Sequence, residues 1–154
     1  MVLNGSQAAQ KVGDMNTAQI TLVEESFALV APIAPVAADL FYTRLFILEP
    51  NLARLFPADL SEQKKKLMTM LQVAVASLRK PEQLIPALQH LGRRHVGYGV
   101  QASQYETVGA ALIWTLEQGL GDAFTPEVRE AWLALYGVVA TTMQEAAREL
   151  AMAA

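Results

Sequence analysis

Apolar residues recur at helical spacing along nearly the whole chain, and no segment sustains the period-two alternation of a strand. Asn16 and Gln19 are spaced as a capping box, and Ile20, Val23, Phe27 and Val30 form the stripe behind them, which predicts a helix over about Thr17–Val30. Pro32 and Pro35 end it and start the next, because proline is tolerated in a first helical turn but breaks an interior. The second helix is expected over about Val36–Leu48, with Ala38, Tyr42, Leu45 and Phe46 inward and Asp39 and Thr43 outward. Pro50 opens a short helical turn that ends near Phe56 and Pro57. Ser61 is placed to cap a long helix to about Leu78, striped by Leu67, Met70, Leu71, Ala74 and Leu78. Pro81 opens a further helix, and Gly97 and Gly99 close it. Ser103 and Glu106 have the spacing of another capping box, ahead of a helix with Tyr105, Val108 and Leu112 on one side. Residues 119–124 are expected as a loop. Thr125 and Pro126 then cap and start a last helix to about Leu150, striped by Val128, Trp132, Leu135, Val139 and Met143. The pattern is all-α, with six long helices and one or two short ones.

Four polar side chains interrupt these apolar faces. Leu84, Leu88, Leu91 and His95 share one face of their helix, so the imidazole points where the leucines point. The other histidine, His90, shares its side with Gln83, Arg93 and Arg94 and reads as solvated. Extending the Leu67 stripe back by one turn reaches Gln63; Tyr42 and Tyr105 lie on their own helices' inward faces. Each has an ordinary explanation alone. A tyrosine can bury its ring and send its hydroxyl to a carbonyl, a first-turn glutamine can be exposed, and a histidine can be a satisfied core residue. Yet a polar group buried without a partner costs about 1–3 kcal/mol. A planar cofactor with a metal at its centre would serve all four, with His95 binding the metal and Tyr42 and Gln63 offering hydrogen bonds on the opposite side.

Composition narrows the setting. With 154 residues, 53% of them hydrophobic and 18% charged, the chain has material for one domain and one core. A net charge of −3 carries no nucleic-acid footprint, and Lys64–Lys66 reads as a solvated helix flank. The absence of cysteine excludes a disulfide framework and suits a reducing, cytoplasmic setting. Residues 1–16 read as a flexible polar arm and 17–154 as the domain. Proline or threonine breaks keep the apolar runs below ~18 residues, so no membrane span is expected.

Taken in order, FYTRLFILEP (41–50), ARLFP (53–57), QKKKLM (63–68), LGRRHVGYGV (91–100), YETVGAAL (105–112) and WLALYGVVA (132–140) make the chain resemble the globins. The likeness is in particular to single-domain bacterial globins and the haem domain of flavohaemoglobins, and it spans about residues 17–153. It implies a globin fold around haem b. His95 matches the proximal histidine that ligates the iron. Phe56 matches the phenylalanine lying flat on the porphyrin, and Leu67, Val100, Val108 and Val139 fall with it among the cofactor-contacting positions. Tyr42 matches the distal tyrosine of bacterial globins. Gln63 stands at the distal position that is histidine in many animal globins. Tyr105 and Glu149 match a pair that hydrogen-bonds around the proximal histidine in flavohaemoglobins. Arg93, Arg94 and Lys66 are candidates for the propionates, with ordinary surface charge the equal alternative. Phe27 stands where a tryptophan is common.

The activity the resemblance implies is reversible, high-affinity binding of dioxygen for carriage, storage or scavenging. Carbon monoxide and nitric oxide are further ligands. Dioxygen takes up negative charge on ferrous haem, so donors from Tyr42 and Gln63 favour it over carbon monoxide. Two alternatives stand beside this: nitric oxide dioxygenation or peroxidase-like chemistry, and ligand-dependent signalling to a partner. The chain ends four residues past Leu150 with no flavin- or nicotinamide-binding segment, so an enzyme reading implies a separate reductase. A monomer or weak homodimer is expected.

Overall fold

The polar arrangement at each helix end decides where the elements start. The structure is a computed structural model that describes residues 15–97 and 99–153; the arm expected over 1–16 lies outside these except for Met15 and Asn16. Six α-helices and no strand occur among the described residues: α1 (Thr17–Val30), α2 (Ala34–Leu48), α3 (Ser61–Ala76), α4 (Pro81–Gly97), α5 (Gln104–Leu120) and α6 (Pro126–Ala153). Three 3-10 turns join them, at Ala31–Ile33, Pro50–Leu55 and Gly121–Ala123.

The capping box of α1 forms as its spacing predicts, with Gln19 N–H donating to Asn16 Oδ1 at 2.7 Å and Asn16 N–H to Gln19 Oε1 at 3.2 Å. Thr125 also caps, its Oγ1 accepting from Val128 N–H at 3.2 Å. Two other expected caps do not form. Asp59 displaces Ser61, because its carboxylate takes both the Ser61 N–H at 3.0 Å and the Ser61 hydroxyl at 2.7 Å. Ser103 has helical backbone angles (φ −63°, ψ −23°) rather than the extended ones a capping side chain needs. Gln104 acts instead, its Oε1 accepting from Gln101 N–H at 2.8 Å. The expected loop 119–124 is mostly the end of α5 and a 3-10 turn, with Gly121 at φ +55° making the reversal. α2 starts at Ala34, before the expected Val36, with Pro35 in its first turn; α3 stops at Ala76 and α6 continues to Ala153.

The most extensive pairing is α4 on α6, followed by α2 on α5 and α1 on α6. At the α4–α6 crossing a Cβ on Gly92 would overlap the Met143 backbone, so glycine lets the two main chains touch. Trp132 is fully buried, and its indole N–H donates to Ser26 Oγ at 2.8 Å, joining α6 to α1. Burying a tryptophan contributes on the order of 4–6 kcal/mol before entropy. The span Thr17–Leu48 includes an 18-residue window of mean hydropathy 1.5, more apolar than the sequence reading allowed for. That span is broken at Pro32 and Pro35, and Val23, Phe27, Val30, Phe41 and Leu45 from it are core residues.

Candidate functional site

α2 delivers Tyr42 to the interior with 4% exposure, and the short turn after it brings in Phe56. The Tyr42 ring meets Phe56 edge-on at 5.6 Å, Phe41 edge-on at 5.0 Å and Phe46 at 6.0 Å, while Phe46 and Phe56 lie 5.6 Å apart. Such edge-to-face pairs each contribute about 0.5–1.5 kcal/mol beyond burial and fix ring orientation. Gln63, in the first turn of α3, is half-buried and lies beside the Tyr42 hydroxyl. Burial pushes the Tyr42 phenol above its ordinary value and the neighbouring Gln63 amide opposes this only in part. Tyr42 is therefore a neutral donor at physiological pH. Beside the pair, Lys64 Nζ lies 2.8 Å from Asp39 Oδ1 and ties the start of α3 to α2. That bridge is largely exposed and is worth about 0–1 kcal/mol.

His95 stands on the last turns of α4, half-buried. Its Nδ1 lies 2.8 Å from the Leu91 carbonyl oxygen. A carbonyl only accepts, so Nδ1 carries the proton and the ring lone pair sits on Nε2. Burial lowers the His95 pKa most, the Leu91 hydrogen bond raises it, and the Arg94 charge lowers it again, so the net direction is down. The ring is thus kept in the neutral form that ligates metals. The backbone after it is held by Val100 N–H donating to the His95 carbonyl at 3.3 Å.

Gly92 and Met143 mark the α4–α6 crossing, and His95 and Glu145 each lie within one helical turn of it. Glu145 is 7% exposed, and its Oε2 has no hydrogen-bond partner among the described residues. Sequence reading missed it in favour of Glu149, which is half-buried and more than one turn from the crossing. Tyr105 is buried, its phenol raised by burial, and its carbonyl accepts from Tyr136 Oη at 2.6 Å. Tyr136 fits there because Gly109 has no Cβ to meet its ring.

Tyr42, Gln63 and Phe56 are therefore one cluster. Leu67, Val108 and Val139 are half-buried and pack on the core, and Val100 is half-buried beside the His95 backbone. Lys66, Arg93 and Arg94 are exposed.

The donor set suits haem. Among the described residues no group of three or more His, Cys, Asp or Glu side chains gathers to hold a bare metal ion. A single neutral imidazole suits an iron whose other ligands come from a porphyrin. Aromatic and aliphatic side chains supply walls for a flat apolar ring, and the Glu145 carboxyl is buried within one turn of the α4–α6 crossing.

Known proteins agree with this fold. Solved structures similar to the chain include a hexacoordinated heme protein from an anhydrobiotic tardigrade (TM-score 0.80, 20% identity, 87% of this chain and 96% of that one). Another is the flavohemoglobin of Malassezia yamatoensis, solved with bound FAD and heme (TM-score 0.76, 22% identity, 89% of this chain and 37% of that one). By sequence the chain is 35% identical over 116 residues to the neuroglobin of Danio rerio, covering 66% of this chain and 73% of that one. It is 30% identical over 139 residues to the flavohemoprotein of Rhizobium meliloti (strain 1021), covering 84% of this chain and 34% of that longer one. The profile described as Globin matches residues 39–143, more than half of the chain, and the chain belongs to the globin family.

Proposed function

We propose that this globin holds haem b through His95 and binds dioxygen reversibly, with Tyr42 and Gln63 as the groups that retain it. When bound, haem supplies a ferrous iron that takes up dioxygen and leaves negative charge on its oxygens. The observation that carries the reading is the buried Tyr42 packed against Phe56, with the half-buried Gln63 beside its hydroxyl. Low local dielectric strengthens hydrogen bonds from such donors. Phe56, Leu67, Val100, Val108 and Val139 line the ring and exclude water. His95 would hold the iron through Nε2, its tautomer set by Leu91.

Two measurements test this. The purified chain shows a Soret band that shifts on reduction and again on exposure to dioxygen. Tyr42→Phe, which keeps the ring contacts and removes the hydroxyl, raises the dioxygen off-rate roughly tenfold to a hundredfold, the equivalent of one hydrogen bond to a charged acceptor. An unchanged off-rate sinks the donor role.

One observation favours a second reading, nitric oxide dioxygenation with a separate reductase. A buried carboxylate within one turn of the α4–α6 crossing, Glu145, adds negative charge to the helix pair that carries His95, beside the Glu149 that the resemblance implies, and such charge would make the imidazole a stronger donor. The likeness to a flavohemoprotein is consistent with a reductase partner. Mixing the dioxygen-loaded protein with nitric oxide then gives ferric haem within milliseconds; reaction over seconds removes the reading. A cytoplasmic setting, supported by the absence of cysteine, belongs to the same proposal.

A further inference from the structure

Glu49 closes α2 and begins the turn that leads to Phe56. Its backbone is fixed on both sides, with its N–H donating to Leu45 O at 2.9 Å and its carbonyl accepting from Leu52 N–H at 3.0 Å. Its side chain leaves this corner and reaches α5. Oε1 accepts from Thr107 Oγ1 at 2.9 Å and Oε2 from Gln104 Nε2 at 3.2 Å. Gln104 passes the connection on, because its Oε1 accepts from the Gln101 N–H at 2.8 Å. Gln101 directly follows Val100, whose N–H is held by the His95 carbonyl. The corner and the loop after α4 also approach elsewhere. Gly99, at φ +81°, faces Leu55, where a Cβ would stand 3.7 Å from Leu55 Cδ2.

We propose that Gln104 is a positioning residue that ties the loop following His95 to the corner carrying Phe56, and so sets how the proximal imidazole meets the haem plane. Both arms of one amide are used, the carbonyl on the proximal loop and the amine on the distal corner. Without it the loop retains its turn but loses its anchor to the opposite side of the pocket. The part concerning iron rests on the haem reading above; the tether itself does not.

The test compares two single deletions at the same carboxylate in the haem-loaded protein. Q104A and T107V each remove one hydrogen bond to Glu49, and Q104A also removes the one from the Gln101 N–H. Only Q104A frees the loop. In Q104A the Gln101 amide exchanges about tenfold faster, as expected for the loss of one hydrogen bond, and in T107V it does not. The iron–histidine stretching band of the reduced protein moves in Q104A and stays in T107V. The swap E49Q/Q104E restores both readouts, because the amide introduced at position 49 donates to the carboxylate introduced at position 104, which still accepts from Gln101.

Equal Gln101 exchange in Q104A and T107V overturns the tether. Faster exchange with an unmoved stretching band overturns the positioning role. If the unmodified chain forms no Soret band, the haem reading and the iron part fail together, while the exchange comparison on that same chain still decides the tether.

Discussion

The two poles of the site are built by different means. On the distal side the amide of Gln63 lies beside the hydroxyl of Tyr42, whose ring sits in a cluster of rings from α2 and the following turn. On the proximal side the imidazole of His95 is oriented by its own helix backbone, and the Glu145 carboxyl is buried with one oxygen unpartnered among the described residues. A paired donor set is stable as it stands and needs only to turn toward a ligand. A buried carboxylate with an unsatisfied oxygen is a standing cost, of about 1–3 kcal/mol or more for a charged group. The difference places the unpaid polar cost at the α4–α6 crossing, within one turn of His95.

The comparison can be broken most sharply at His95. His95→Gly removes the one imidazole on the inward face, and haem retention falls to the level of loose porphyrin adsorption; added imidazole restores the Soret band. Retention as firm as in the unmodified chain ends the proximal assignment. Gly92→Ala comes next. It drives a methyl into the Met143 backbone, which cannot rotate away, and costs about 1–3 kcal/mol of folding stability in a urea titration. It also displaces the proximal helix, so haem loss accelerates while the Tyr42 off-rate effect persists.

Glu145→Gln sharpens the contrast further. It removes charge where no partner compensates it, so folding stability holds or rises by about 1 kcal/mol. The iron–histidine stretch of the reduced protein falls in frequency. If that band stays in place, Glu145 is a structural group and the second functional reading loses its support.

The smallest effect is with pH. Burial holds the folded His95 pKa below the ordinary imidazole value of 6.5, so the imidazole stays neutral from physiological pH down past that point. The unfolded chain takes up its proton first, and stability contributed by this residue is complete above pH 6.5 and is lost as pH falls through the lower folded value. In urea titrations of the haem-free chain, stability therefore starts to fall only as pH drops below the ordinary imidazole range. A fall that begins above that range contradicts a buried neutral imidazole.

How much of this was legible beforehand follows from the kind of signal each residue leaves. Helix number and type were legible because each helix shows a periodic apolar face, and the caps at Asn16 and Thr125 were legible because nothing nearby competes. The caps at Ser61 and Ser103 were misread because Asp59 and Gln104 are better or better-placed acceptors, a contest spacing alone does not decide. Tyr42, Gln63 and His95 stood out as polar residues on single apolar stripes. Glu145 did not, because α6 packs against α4, α1 and α5 at once. Its buried residues include Val138, Thr142, Met143, Glu145 and Ala146, which wrap more than one face, and one stripe drawn through Met143 passes Glu145 by. The bridge from Glu49 to Gln104 spans 55 positions and leaves no local pattern at all.

The bare meeting of Gly92 with Met143 has a mechanical consequence. A layer of side chains between two helices acts as a cushion, since rotamers shift and absorb small displacements. Here there is no cushion, and close-packed backbone transmits a push almost without loss. Anything that leans on the middle of the C-terminal helix, a neighbouring molecule or a crowding lipid headgroup alike, is felt one turn away at His95.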